Sequence, residues 1–455
     1  DRRMKFIMNM KKITALLLIA ALALALCGCG ELANLKNVEL PPLPDASDAQ
    51  TPEETAAPTP AQEIDTTGSK AVSDLLEHVI VSISSQKEEH YDPQNGDTLI
   101  LTFSYETPAV YIEGRDDAAA AINEYIATVD ETYYTGNDYG VSGEDGLPSG
   151  VNGMLEMATD NYSYAVENGQ TDLPLEYVSS RTAKVARIDS RVLSMVYNTY
   201  TFTGGAHGNY FDTGYTFDTE SGEYVTLDML SSDSEALAAF LADYMMKLYK
   251  ADKDGYYSAR VVEDIALTTQ PDVETAIAAL VRDGSWYFDE DGMVIFSTVD
   301  ELGPYAAGIV EFDIPYSNLK GHIDDKWLPA DVTSDGSLEL KAQSDVADGS
   351  IEIIDKVTVD ENSEQLCLEA VGTVYDVRLS AVDYSDRFYE TAQLWACSYM
   401  SDCVLQLETL IPDGMPKLRV SYMDASGQQK GLLLTQSGED GSYILIDDDS
   451  IEAVG

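Results

Sequence analysis

Residues able to do acid–base, nucleophilic or metal chemistry are sparse and scattered in this chain. Four histidines occur, His78, His90, His207 and His322. No two stand at the H-x-x-x-H spacing that sets paired ligands on one helix face, and no C-x-x-C pair joins them. His207 alone has a distinctive setting, "TFTGGAHGNYFDTGYTFDTESGEYVTLDML" from Thr201 to Leu230. Gly204, Gly205, Gly208 and Asn209 surround it, and Asp212, Asp218 and Asp228 follow. With 80 acidic residues in the chain, aspartates near a histidine are expected without chemistry. The glycines lie between two runs of tyrosine, phenylalanine and threonine, which reads as a turn between strands. Glycine there supplies positive φ and close backbone approach. His207 then packs on or hydrogen-bonds that loop, and the loop is a candidate binding surface. No serine nucleophile elbow, phosphate-binding loop or dinucleotide fingerprint is present. No catalytic residue, metal ligand or cofactor site is therefore assigned.

Two acidic runs, "ADKDG" and "DGSWYFDEDG", resemble fragments of calcium loops. Neither holds the full alternating ligand set with a distal glutamate, so both read as solvated turns. Trp286, Tyr287 and Tyr305 are candidates for an aromatic patch, but at hairpin spacing core packing is the better reading. Cys397 and Cys403 stand close enough in sequence for a disulfide, and Cys367 is a third candidate partner. Three cysteines cannot all pair internally, so none is assigned.

Charge narrows the partners. The chain of 455 residues carries 80 acidic and 27 basic side chains, a net charge of −53. Such a polyanion repels nucleic acid and anionic lipid and attracts cationic proteins, cationic peptides and divalent ions. Hydrophobic residues at 44% are enough for real cores, and the length implies two or three domains.

The first residues bear on location. Arg2, Arg3, Lys5, Lys11 and Lys12 precede an apolar run from Ile13 to Leu26, too short to remain as a membrane span. The run stops at Leu26-Cys27-Gly28-Cys29, which looks like a bacterial lipobox with Cys29 as the lipid-accepting residue. Residues 1–28 are thus read as a lipoprotein signal peptide. Residues 29–70 are read as an acidic tether rich in proline, alanine and threonine, unable to bury enough surface to order itself. The expected location is the outer face of a bacterial cytoplasmic membrane, with lipid as the sole membrane contact.

Strand-like and helix-like patterns begin near Ala71. "LLEHVIVSIS" and "TLILTFSYETPAVY" read as strands, and "DDAAAAINEYIATVDETY" and "GVNGMLEMATDNYSYAVENG" as helices. From Leu175 strands return on both sides of the glycine loop. Asp233–Lys250 is an amphipathic helix with Leu237, Phe240, Leu241, Tyr244, Met245 and Leu248 at helical spacing, capped by Asp233 or Ser234. Val261–Arg282 reads as helical with a break near Pro271. "WYFDEDGMVIFS" reads as a hairpin around Asp291-Gly292, and "AAGIVEFDIPYSNL" as a closing strand. The expected class is α+β, an antiparallel sheet with packed helices, followed by a small all-β C-terminal domain.

"TGGAHGN", then "YTFDTESGEYVTLDML", then "WYFDEDGMVIFSTVDELGPYAAGIVEFDIPYSNL" resembles the paired extracellular domains of the PdaC/RsiV-like superfamily. Thr226, Leu227, Asp228, Gly292, Pro304, Tyr305, Ala306, Gly308, Ile314, Pro315, Tyr316 and Leu319 stand at its motif positions, with Gly204, Gly205, His207, Gly208 and Asn209 at its glycine-histidine loop. The resemblance covers roughly 71–323 and is stronger after Tyr200. Members include a membrane-anchored anti-sigma factor whose outer domain binds lysozyme and a peptidoglycan deacetylase that carries the same region ahead of its catalytic domain. This chain has a lipoprotein signal where the first has its cytoplasmic segment, and lacks the second's separate deacetylase region. The resemblance therefore implies a non-enzymatic binding or sensing module, with lysozyme, another cationic protein or peptidoglycan as ligand. The alternative is a glycan-binding accessory or a peptidoglycan-modifying enzyme. The loop 204–209 and the Pro304-Tyr305 turn are its candidate surface. Domain boundaries are expected at 71–200 and 201–326, with 327–455 a β-rich region beyond the resemblance, sandwich or barrel.

Overall fold

The structure is a computed structural model that describes residues 77–447 except 95, 137–149, 171–175, 253–272, 300, 304, 331, 347–351, 360–363, 385–387, 410–416 and 439. Cys29, the signal-like segment and the tether lie outside the described residues, as does Pro304. The expected break at Pro271 also falls outside them.

The chain opens with β1 (Val79–Tyr91) and β2 (Leu99–Ile112), then two helices, α1 (Asp116–Thr135) and α2 (Gly150–Glu167). Strands β3 (Tyr177–Ile188), β4 (Val192–Phe202) and β5 (Asn209–Asp218) follow. Helices α3 (Ser234–Ala251) and α4 (Val273–Asp283) precede β6 (Ser285–Phe288), β7 (Gly292–Phe296), β8 (Glu311–Pro315) and the single turn α5 (Tyr316–Leu319). The remainder is β: β9 (Ser337–Ala342), β10 (Glu352–Thr358), β11 (Glu364–Val371), β12 (Thr373–Tyr384), β13 (Phe388–Ser401), β14 (Cys403–Thr409), β15 (Leu418–Met423), β16 (Gln429–Gln436) and β17 (Tyr443–Asp447). The fold is α+β with strands dominant and an all-β C-terminal region.

The chain divides into two compact units. The smaller holds 238–284 and 296–312, including most of α3, all of α4 and the 3-10 turn Tyr305–Ala307. Asp233 caps α3: its Oδ1 accepts the Ala236 N–H at 3.0 Å. Leu241 and Met245, one turn apart on α3, are fully buried.

The larger unit is built on a ten-stranded sheet, β17-β16-β15-β12-β13-β1-β2-β3-β4-β5, with a four-stranded sheet β10-β14-β11-β9. A further sheet is ordered β6-β7-β8. The expected antiparallel pairing prevails, with parallel exceptions among the described strands. β2 and β3 run parallel, and so do β10 and β14. Parallel neighbours need a crossover, and α1 and α2 supply it between β2 and β3.

The boundaries drawn from sequence at 200/201 and 326/327 are not breaks in this unit. The first falls inside β4. Across the second, β1 pairs with β13 through Ile80–Cys397, Val81–Ala396 and Ser82–Trp395. Strand alternation explains why one sheet serves both halves. Ile80 points into a sandwich core with Leu366, Leu368, Val374, Trp395, Leu405 and Val420. Val79 and Val81 point the other way, into a core where α1 contributes Ala119, Ile122 and Ile126. α2 covers a third patch, setting Val151, Met154 and Ala158 against Ile100, Phe103 and Tyr177. The run "VIV" lacks period-2 alternation because both faces of β1 are buried, as in a covered sheet.

Candidate functional site

The glycine-histidine loop joins β4 to β5 at one edge of the large sheet. Tyr200 pairs with Tyr210 and Thr201 with Asn209, so residues 203–208 form the hairpin connection. Gly204 and Gly205 adopt φ of 87° and 100°, where a β-carbon is penalised. Gly208 serves differently: its Cα lies so close to the Tyr200 ring that a β-carbon would stand 2.4 Å from it. His207 is exposed, and its Nδ1–H donates to the Gly208 carbonyl at 3.1 Å. Asn209 is exposed, and Tyr200 and Phe211 beside it remain 37% and 36% exposed. The loop is thus a glycine-dependent hairpin tip with aromatic side chains at its base.

Gly204, Gly205, His207, Gly208 and Asn209 therefore lie together. Tyr305 is half-buried at the start of its 3-10 turn and belongs to the smaller unit. His78 is elsewhere, stacked on Tyr399 at 4.0 Å, with Nδ1 3.0 Å from Glu113 Oε2. Burial pulls its pKa down against the pull of Glu113. Among the described residues, no three His, Cys, Asp or Glu side chains gather as a metal-holding group. Cys367, Cys397 and Cys403 are all buried free thiols, and burial raises the pKa of each. Trp286 packs edge-on against Phe288 at 5.3 Å, and Phe288 is fully buried.

Several motif residues act as scaffold. Tyr316 donates its hydroxyl to the Asp289 carbonyl at 2.8 Å and accepts from Arg187 Nη1 at 2.8 Å. The same buried arginine bonds Asp189 Oδ2 at 2.8 Å and the Trp327 carbonyl at 2.6 Å, with Phe288 and Tyr316 rings at 5.4 and 5.2 Å. Burial raises the Tyr316 pKa. Gly292 has no positive φ; it permits close approach, since a β-carbon would meet the Ile314 carbonyl at 2.1 Å. The Asp289 carboxylate shapes this hairpin by accepting N–H groups of Asp291 and Gly292.

A second buried node lies beneath α1. Arg181 pairs with Asp130 and stacks between Tyr133 and Tyr197 at 4.5 and 4.7 Å. Burial pushes the Asp130 carboxyl up, opposed by Arg181 and by the Thr107 hydroxyl at 2.6 Å. β3 pairs with β2 only as far as Arg181. Beyond it, Ala183 N–H goes to Glu106 Oε2 at 2.8 Å and Val185 N–H to Gln393 Oε1 at 2.6 Å. The buried Glu106 carboxyl is raised by desolvation, partly countered by Ala183 and Ser85.

One cleft of about 410 Å³ opens within the larger unit, lined by residues that include Arg115, Arg191, Glu220, Asp325 and Lys326. Sequence reasoning missed it because its parts come from separate turns spread along the chain from Arg115 to Lys326. The available signal was the lone bases in "EGRDD", "DSRV" and "DDKW" of a strongly acidic chain.

Two family models match the chain: "Deacetylase PdaC" over residues 94–210 and "Protein of unknown function (DUF3298)" over residues 228–317. No curated protein matches it. Among solved structures, a DUF3298 family member from Bacteroides fragilis is 18% identical, covering 54% of this chain and 94% of that one at a TM-score of 0.38. A DUF3298 family protein from Pseudomonas aeruginosa is 16% identical, covering 55% and 98% at a TM-score of 0.34. The PdaC match followed by the DUF3298 match, in the order that the motifs from the glycine loop to Tyr316 also follow, is consistent with the domain pair of the PdaC/RsiV-like superfamily.

Proposed function

We propose that this protein is a non-enzymatic binding module of the bacterial cell envelope, anchored through lipid on Cys29, whose ligand is a cationic protein of the lysozyme kind. The observation that carries the ligand class is the net charge of −53. The most buried arginines do not reduce it: Arg181, Arg187, Arg378 and Arg419 are each matched by a carboxylate, of Asp130, Asp189, Asp376 and Glu390. A field of that size accelerates encounter with a cation, while specificity needs a shaped, partly apolar centre. The hairpin tip 204–209 offers one, with Tyr200 against Gly208 as an amphipathic anchor. The Pro304-Tyr305 turn is a separate candidate for the same role.

The description "Deacetylase PdaC" supports a second reading, an enzyme or accessory acting on peptidoglycan. The net charge of −53, which attracts cationic partners, favours binding over this second reading. Release of acetate from acetylated wall glycan by the purified chain would decide for the enzyme. The anchor is tested separately. Cys29→Ala should move the protein from the membrane fraction to the medium and abolish labelling by a fatty-acid analogue. Unchanged labelling would remove Cys29 from that role.

A further inference from the structure

The cleft of about 410 Å³ carries an unusual charge pattern for so acidic a chain. Two of its bases are already neutralised: Arg115 by Glu77, Nε to Oε2 at 2.5 Å, and Lys326 by Asp218, Nζ to Oδ2 at 3.3 Å. Arg191 is different. Its exposed guanidinium is held by two main-chain carbonyls, Leu328 O at 2.9 Å and Asp325 O at 3.3 Å from Nη1, and among the described residues it faces no carboxylate at ion-pair distance. The exposed carboxylates of Glu220 and Asp325 line the same cleft and have no cationic partner among the described residues.

All three groups are presented by turns that side chains or backbone bonds lock. Asp189 Oδ1 accepts the N–H groups of Arg191 and Val192 at 2.8 and 2.9 Å. Asp218 Oδ1 accepts the Glu220 N–H at 2.8 Å, and Gly222, at φ 77°, closes that turn onto the Asp218 carbonyl. Asp325 opens a 3-10 turn whose preceding residue, Asp324, donates its N–H to Leu230 O at 2.8 Å. One held guanidinium and two carboxylates carried on ordered turns in one cleft complement a ligand with one carboxylate and two ammonium groups. A guanidinium is suited to carboxylate recognition, and pre-organisation lowers the ordering cost of binding. The volume suits a single amino acid or a short peptide end.

The geometry points to a binding site for a basic amino acid, free or as the C-terminal residue of a short peptide, with its carboxylate on Arg191 and two ammonium groups, the side-chain one and either the free α-ammonium or the peptide N-terminus, on Glu220 and Asp325. This inference does not rest on the lysozyme proposal and stands or falls without it. The experiment is titration calorimetry of the full chain with L-lysine, L-glutamate, 1,5-diaminopentane and the tripeptide Gly-Gly-Lys. Lysine or Gly-Gly-Lys should bind saturably, about tenfold or more tighter than glutamate and than diaminopentane, which lacks the carboxylate. Tighter lysine binding assigns the free amino acid, and tighter Gly-Gly-Lys the peptide end. Arg191→Gln and, independently, Glu220→Gln should each weaken binding about tenfold. Glu220 donates only its backbone to the turn, so its variant decides the matter if Arg191→Gln fails to fold. No saturable binding of either lysine ligand, no preference over glutamate and diaminopentane, or unchanged affinity in Glu220→Gln would overturn the site.

Discussion

Arg181 shows how much of this protein's chemistry is internal. Its side chain is 4% exposed, paired with Asp130 and stacked on Tyr133 and Tyr197. Removing one partner of a buried ion pair strands the other charge in a medium that cannot solvate it. Arg181→Ala should therefore cost about 3–5 kcal/mol. Replacing both Arg181 and Asp130 by leucine should cost less than that single change. Denaturant midpoints of the two variants check this; a cost below about 1 kcal/mol for Arg181→Ala would show the pair to be idle. None of this was legible in the sequence, where Arg181 stands in an ordinary alternating strand. Its partner is 51 residues away, and only the crossover through α1 brings them together. The cleft bases escaped for the same reason, whereas the loop 204–209 was legible because its residues are contiguous.

The two glycine-dependent turns differ in what glycine provides. Gly205 has φ 100° and open space beside it, so a side chain there meets only backbone strain, about 1–2 kcal/mol. Gly292 has ordinary φ but would drive a β-carbon into the Ile314 carbonyl, forcing two backbones apart. Thermal unfolding should therefore rank Gly292→Ala as more damaging than Gly205→Ala, and the reverse order would contradict the close-approach account. From sequence, "DEDG" read as a turn because Asp-Gly pairs usually mark one. The nearness of Ile314 depends on a residue 22 positions on and carried no local signal. Helices were better read: α1, α2 and α3 keep their apolar residues at helical spacing, and Asp233 was among the two caps expected.

At the scale of the whole molecule, the sequence suggested a separate all-β region after 326, since strand patterns there are short and turn-rich. The all-β character was legible, but the pairing of β1 with β13 was not, because more than 300 residues separate them. Truncation after residue 326 should remove the sandwich core from Ile80 and the Trp327 carbonyl from Arg187. The shortened chain should lack a cooperative unfolding transition, and a transition as sharp as that of the full chain would restore the boundary. The same fold leaves the net charge of −53 to act on partners. Long-range attraction of that kind weakens once salt shortens the Debye length to about 8–10 Å, whereas a shaped contact persists. The most direct measurement is titration calorimetry of the full chain against basic lysozyme near physiological salt, repeated with His207→Ala combined with Tyr200→Ala. The binding account predicts saturable one-site binding that the double variant weakens about tenfold or more, with the salt-sensitive nonspecific component unchanged. Absence of saturable binding, or equal binding by the double variant, would contradict it.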